Sequence, residues 1–122
     1  MDLTFDLEKN IVHIRLSGRL DRDTIVAALD RTVSHEKYQT GMARLWDFRD
    51  ADLSPLRSET IAEMGSYSLK YSPGIRDVKV AFVTRRDLEY GLTRMFEMLA
   101  EAETPVGVFR DLAKAETWLT SY

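Results

Sequence analysis

Residues 78–119, VKVAFVTRRDLEYGLTRMFEMLAEAETPVGVFRDLAKAETWL, change hydrophobic period three times, and those changes decide the fold class. Val78 to Val83 is short, apolar and rich in β-branched residues, as a buried strand requires. Leu88, Leu92, Met95, Phe96 and Leu99 then fall on one stripe of an amphipathic helix. Val106 to Phe109 returns to strand character, and Asp111 caps a last helix that buries Leu112, Ala115, Trp118 and Leu119. A strand, a helix of this length and a second strand make a crossover between parallel strands.

Working back towards the N-terminus, Leu3, Phe5 and Leu7 alternate with Asp2, Thr4, Asp6 and Glu8. Val12, Ile14 and Leu16 alternate in the same way with His13, Arg15 and Ser17, with Glu8-Lys9-Asn10 as a tight turn between. The pair reads as an antiparallel hairpin that Ser17-Gly18 closes. Asp21 or Asp23 caps a helix striped by Ile25, Ala28, Leu29 and Val33, and a loop from Lys37 to Gly41 follows. Met42 to Phe48 is a nearly unbroken apolar run, the mark of a central strand. Ser54-Pro55 reads as N-cap and first helical proline of a helix that places Ile61, Met64 and Leu69 inward and stops near Ser72-Pro73-Gly74. The order is β-β-α-β-α-β-α-β-α. It predicts an α/β fold with a mixed sheet of about five strands, its first strand antiparallel at an edge, as one domain over 1–122.

Composition narrows the function classes. Of 122 residues, 44% are hydrophobic and 30% charged, which describes a globular chain long enough to bury a core. The chain has no cysteine, so disulfides, thiolate zinc sites and cysteine nucleophiles are excluded, and a reducing cytoplasm is the expected location. The first residues lack a signal-peptide pattern, and no apolar run approaches the roughly 20 residues of a membrane span. Net charge is −3 with both signs interspersed, which argues against a nucleic-acid partner.

Catalytic constellations are not evident. His13, expected on the outward face of the hairpin, and His35, expected at a helix C-terminus, belong to no metal-binding or metalloprotease motif. There is no nucleophile elbow, P-loop or dinucleotide turn, and neither a metal nor a cofactor is implied. Asp47, at the end of a buried strand, is expected to bond the backbone that follows it. Glu97 and Glu101 fit a solvated helix face.

Parallel sheets bind ligands beyond the carboxyl ends of their strands. Those ends carry Ser17-Gly18-Arg19, Asp47-Phe48-Arg49-Asp50, Thr84-Arg85-Arg86-Asp87 and Arg110-Asp111. Arg19, Arg49, Arg85, Arg86 and Arg110, with Asp47, therefore form a candidate rim for an anion or an acidic partner. The bland alternative is local ion pairing at helix starts. Tyr67, Tyr71, Met64, Met95, Phe96 and Met98 make a second, apolar candidate on two helices, with core packing as its plain alternative.

GLTRMFEMLAE (Gly91 to Glu101) and VFRDLAKAETWL (Val108 to Leu119), with LWDFRDA (Leu45 to Ala51), resemble the bacterial SpoIIAA-like proteins, relatives of STAS domains and of the CRAL-TRIO fold. The resemblance covers essentially the whole chain and implies helices mainly on one face of the sheet. It also implies a regulatory role in which a serine after the central strand is phosphorylated. Ser54, in Asp52-Leu53-Ser54-Pro55-Leu56, is the nearest match, although Pro55 replaces the glycine of that motif. The reading that follows is a non-enzymatic regulatory or protein-interaction module, with a protein or a second copy of the chain as partner. A binder of a small anionic or apolar, lipid-like ligand is the alternative, and an enzyme comes last.

Overall fold

A computed structural model of the chain describes residues 1–39, 41–57, 59–61, 63, 79–100 and 105–121. β1 (Asp2–Asp6) and β2 (Ile11–Arg19) form the antiparallel hairpin, with Leu3 opposite Ile14 and Phe5 opposite Val12. Asn10 turns the chain at a φ of 59°, a left-handed conformation that asparagine tolerates better than most side chains. α1 (Arg22–Val33), β3 (Ala43–Asp52), β4 (Val80–Val83), α2 (Asp87–Ala100), β5 (Val106–Phe109) and α3 (Leu112–Leu119) follow, and residues 59–61 and 63 are helical. The carboxylate of Asp21 accepts the Thr24 N–H at 2.9 Å, and that of Asp111 accepts the Lys114 N–H at 3.1 Å. Both aspartates thereby fill orphan donors of a first helical turn.

The strands lie in the order β1-β2-β3-β4-β5, with β1 antiparallel and the other four parallel to one another. Each parallel strand is added on the same side of the last, so right-handed crossovers all pass over one face. There, Ile25 and Leu29 of α1, Ile61, and Leu92, Met95 and Phe96 of α2 join Val12, Ile14, Trp46, Phe48 and Phe82 in the larger core. α3 returns to the opposite face and buries Ala115 and Leu119 with Leu45, Ala81 and Val83. It packs on β3, β4 and β5, which leaves Arg15 and Ser17 of β2 exposed.

Four local expectations are corrected. Ser17-Gly18 does not end β2, and β3 does not end at Phe48; after a β-bulge the pairing resumes with Ser17 opposite Asp50 and runs to Arg19 opposite Asp52. β4 begins at Val80, after Lys79, which is not in the strand; Val78, the expected start of the strand, lies outside the described residues. Ser54 is not an N-cap. Its N–H bonds the Asp52 carboxylate at 2.9 Å and the Leu56 N–H bonds the Leu53 carbonyl at 2.9 Å, so the chain turns there first. The bond from the Ile61 N–H to the Arg57 carbonyl, at 3.0 Å, marks helical pairing three residues beyond Ser54. An aspartate that offers the backbone a local turn competes with helix initiation, and here it wins.

The α2 stripe places Leu92, Met95 and Phe96 on the core as expected, but its first member departs from it. Leu88 is 47% exposed, whereas Glu89 is 1% exposed and Thr93 is buried. Two ion-paired or hydrogen-bonded polar residues thus take inward positions beside that stripe, which the hydrophobic pattern did not assign. Met64, Leu69 and the expected stop at Ser72-Pro73-Gly74 lie outside the described residues.

Candidate functional site

The bulge between β2 and β3 builds the site. Residues three apart on a regular strand point to opposite faces. Here Asp47 stands opposite Arg15 and Asp50 opposite Ser17, with one extra residue on β3 between the two pairs. The extra residue brings Asp47 and Asp50 to one face, beside Arg15, as bulges near sites commonly do.

Arg49 folds back on Asp47, with Nε and Nη2 donating to its two carboxylate oxygens at 2.9 and 2.8 Å. The Arg49 N–H donates to the same carboxylate at 3.1 Å, so the expected bond to the following backbone is present. Asp50 is shared: Arg15 Nη2 reaches it at 2.5 Å and Arg85 Nη1 at 3.3 Å. Burial works to raise the Asp47 carboxyl, but the bonds from Arg49 and the nearby charges of Arg49 and Arg15 outweigh it and hold it below the usual range. The bond from Arg15 likewise holds the Asp50 carboxyl low. Carboxylates so stabilised are poor proton acceptors, while guanidinium groups donate hydrogen bonds to anions and here keep spare N–H groups.

The other expected rim residues separate into two groups. Arg86 is tied to Glu89 by two bonds of 2.7 Å and to Asp52 at 3.1 Å. Arg110 donates to Asp87 at 2.7 Å and to the Arg85 carbonyl at 3.4 Å, and it lies over the Tyr90 ring. Arg19 is exposed and has no ion pair among the described residues. The structure therefore gathers Asp47, Arg49 and Arg85, sets Arg110 beside them, and commits Arg86 to a separate clamp. Ser54 is exposed next to that clamp, through Asp52.

Arg15, Asp50, Asp52 and Glu89 complete these networks and were not among the site residues expected from sequence. Strand alternation put Arg15 on an outward face, but only the bulged register shows which carboxylates it meets. His13 is half-buried on the α3 side, 3.7 Å from Glu116, and not on the outside of an edge hairpin. The His35 ring packs at a tilt against Phe5, 4.6 Å between centroids, and its Nδ1 accepts the Lys37 N–H at 3.1 Å. Met95 and Phe96 belong to the core, Met98 is 69% exposed, and Met64, Tyr67 and Tyr71 lie outside the described residues. Among the described residues no group of three histidines or carboxylates is placed to hold a metal, and no helix is long and apolar enough to cross a membrane.

No protein-family model and no curated protein matches the chain. Among solved structures it is similar to an uncharacterized protein of the DUF3478 family, with a SpoIIAA-like fold, from Shewanella loihica PV-4. That likeness has a TM-score of 0.61 at 19% sequence identity, and it covers 97% of this chain and 90% of the other. The fold is SpoIIAA-like. In a SpoIIAA-like sheet of this order the carboxyl ends of β2 to β5 share one rim, which is where the arginines and aspartates meet. The likeness is one of fold, and the role of the rim rests on its own groups.

Proposed function

We propose that this chain is a non-catalytic interaction module that docks an acidic segment of a protein partner on Arg15, Arg49 and Arg85. Asp50 carries this reading, because one carboxylate serves two exposed arginines and leaves donors on both unfilled. The cluster of three arginines and two aspartates is net positive, on a chain whose net charge is −3. Exposed pairs of this kind exchange partners at little cost, so an incoming carboxylate can replace Asp50. Arg19 and Arg110 flank the cluster and extend the surface that an acidic segment would meet. Ser54 supplies the regulatory element, since a phosphate there would compete with Asp52 for Arg86 and add negative charge beside the rim.

Calorimetric titration with a hexaglutamate peptide at low salt tests the reading. Wild-type protein should bind it, more weakly as salt rises, and an Arg15→Ala/Arg85→Ala double variant should lose binding. An Arg22→Ala/Arg94→Ala control, which removes charges elsewhere, should retain it. Equal binding by both double variants, or none by wild type, contradicts the proposal.

A further inference from the structure

Arg44 stands at the other end of β3 from the rim, and it is the most deeply buried arginine among the described residues, at 3% exposure. In register it lies opposite Val12 on β2 and Val80 on β4, and Trp46 follows it on the same face. Those three neighbours belong to the larger hydrophobic core. Its Nε and Nη1 are closed to solvent and have no hydrogen-bond partner among the described residues. Burial lowers its hold on the proton, and the Tyr38 side chain is the one group that offsets this. A guanidinium nevertheless stays protonated, so a cation sits among apolar side chains with donors unsatisfied.

Such a group is strongly unfavourable unless an anion meets it. We propose that Arg44 is the charged end of a buried site for an organic carboxylate that carries a short apolar body. The charge calls for an anion, and the apolar neighbours Val12, Val80 and Trp46 disfavour one that is wholly hydrated, such as inorganic phosphate. The site is independent of the rim, since Asp50 lies six positions along β3 from Arg44, roughly 20 Å of strand. Because Nε and Nη1 are closed to solvent, entry requires local opening, and uptake should be slow and saturable.

The test uses thermal unfolding and calorimetry with octanoate, octanol and inorganic phosphate as probes. Octanoate should bind saturably and raise the Tm of wild-type protein, while octanol and phosphate should not. Arg44→Met should bind octanoate more than tenfold more weakly, and its Tm without octanoate should equal or exceed that of wild type because an unpaired buried charge is gone. Arg44→Lys is the second variant, since a buried lysine sheds its proton and should bind octanoate more weakly. Octanoate binding that survives either folded variant, an equal response to phosphate or octanol, or a lower Tm of ligand-free Arg44→Met overturns the proposal. Hexaglutamate binding at the rim is unaffected by these variants, so the two proposals fail separately.

Discussion

The carboxylate of Glu89 accepts the backbone N–H of Leu53 at 2.9 Å, tying the first turn of α2 to the chain just beyond β3. Both residues are almost fully buried, and Arg86 closes the arrangement by holding both Glu89 oxygens. The bond fixes the carboxyl ends of β3 and β4 relative to each other, which is the geometry the rim depends on.

Glu89→Ala should therefore lower stability by roughly 3 kcal/mol, through an unsatisfied Leu53 N–H and a small cavity. Glu89→Gln keeps an acceptor and the volume, and should cost about 1 kcal/mol. Chemical denaturation of the two variants checks the order. Equal stability of Glu89→Ala and wild type would show that the clamp carries no weight.

Acid should expose the same networks. The bonds from Arg86 hold the Glu89 carboxyl below its usual range; Asp47 is also held low, with burial opposing and the Arg49 bonds prevailing. A lowered folded pKa contributes stability that is complete above the unfolded value, near pH 4, and is lost as pH falls through the folded values. Tm should be level from pH 7 to about 5 and fall below about 4, less steeply in Glu89→Gln. A Tm that rises on acidification below pH 4 contradicts this.

Gly107 on β5 separates packing from propensity. A Cβ there would stand 2.7 Å from Cε2 of Phe109 and 3.2 Å from Cζ3 of Trp118. Those two rings pack against each other at a tilt of 48° with centroids 5.6 Å apart, so neither moves freely. Propensity alone predicts that Gly107→Ala stabilises a strand, whereas overpacking predicts a loss of about 1–3 kcal/mol. A fall in Tm is expected, and a rise would show that the rings relax.

The sequence made most of this architecture legible. The hairpin, the alternation of strands with helices α1, α2 and α3 and the cap at Asp111 are local features that periodicity and capping chemistry specify, while the first cap stayed open between Asp21 and Asp23 until the structure placed it on Asp21. Pairing beyond Gly18 was not legible, because a bulge is a property of two strands and leaves little trace in either. The same bulge decides that Asp47 and Asp50 share a face, so Arg15 was missed as a member of the cluster and the partners of Arg49 and Arg85 could not be written from sequence. Glu89 escaped notice for a different reason. A glutamate at an inward helical position breaks the hydrophobic pattern, and only the donor it meets on another element, the Leu53 N–H, explains it.

Asp47 offers a further check on how the rim is held. Asp47→Ala removes the acceptor of three bonds from Arg49 and should free that side chain. Stability should fall by about 1–2 kcal/mol, the scale of charge-assisted bonds to a partly exposed partner. Hexaglutamate binding should tighten, because Arg49 is no longer occupied and one negative charge has gone. Weaker binding in Asp47→Ala would mean that Asp47 orients Arg49 for its partner instead of competing with it.

The most direct test of the rim is a titration of 15N-labelled protein with hexaglutamate, followed by heteronuclear NMR. Arginine side-chain Nε–H signals of Arg15, Arg49 and Arg85 and the backbone amides of Asp47, Asp50 and Arg85 should shift together, saturably and less at high salt. The signals of Arg22 and Arg94, paired elsewhere on the surface, should stay in place. Shifts spread over all exposed arginines alike, or absent from the rim, would contradict a docking role for Arg15, Arg49 and Arg85.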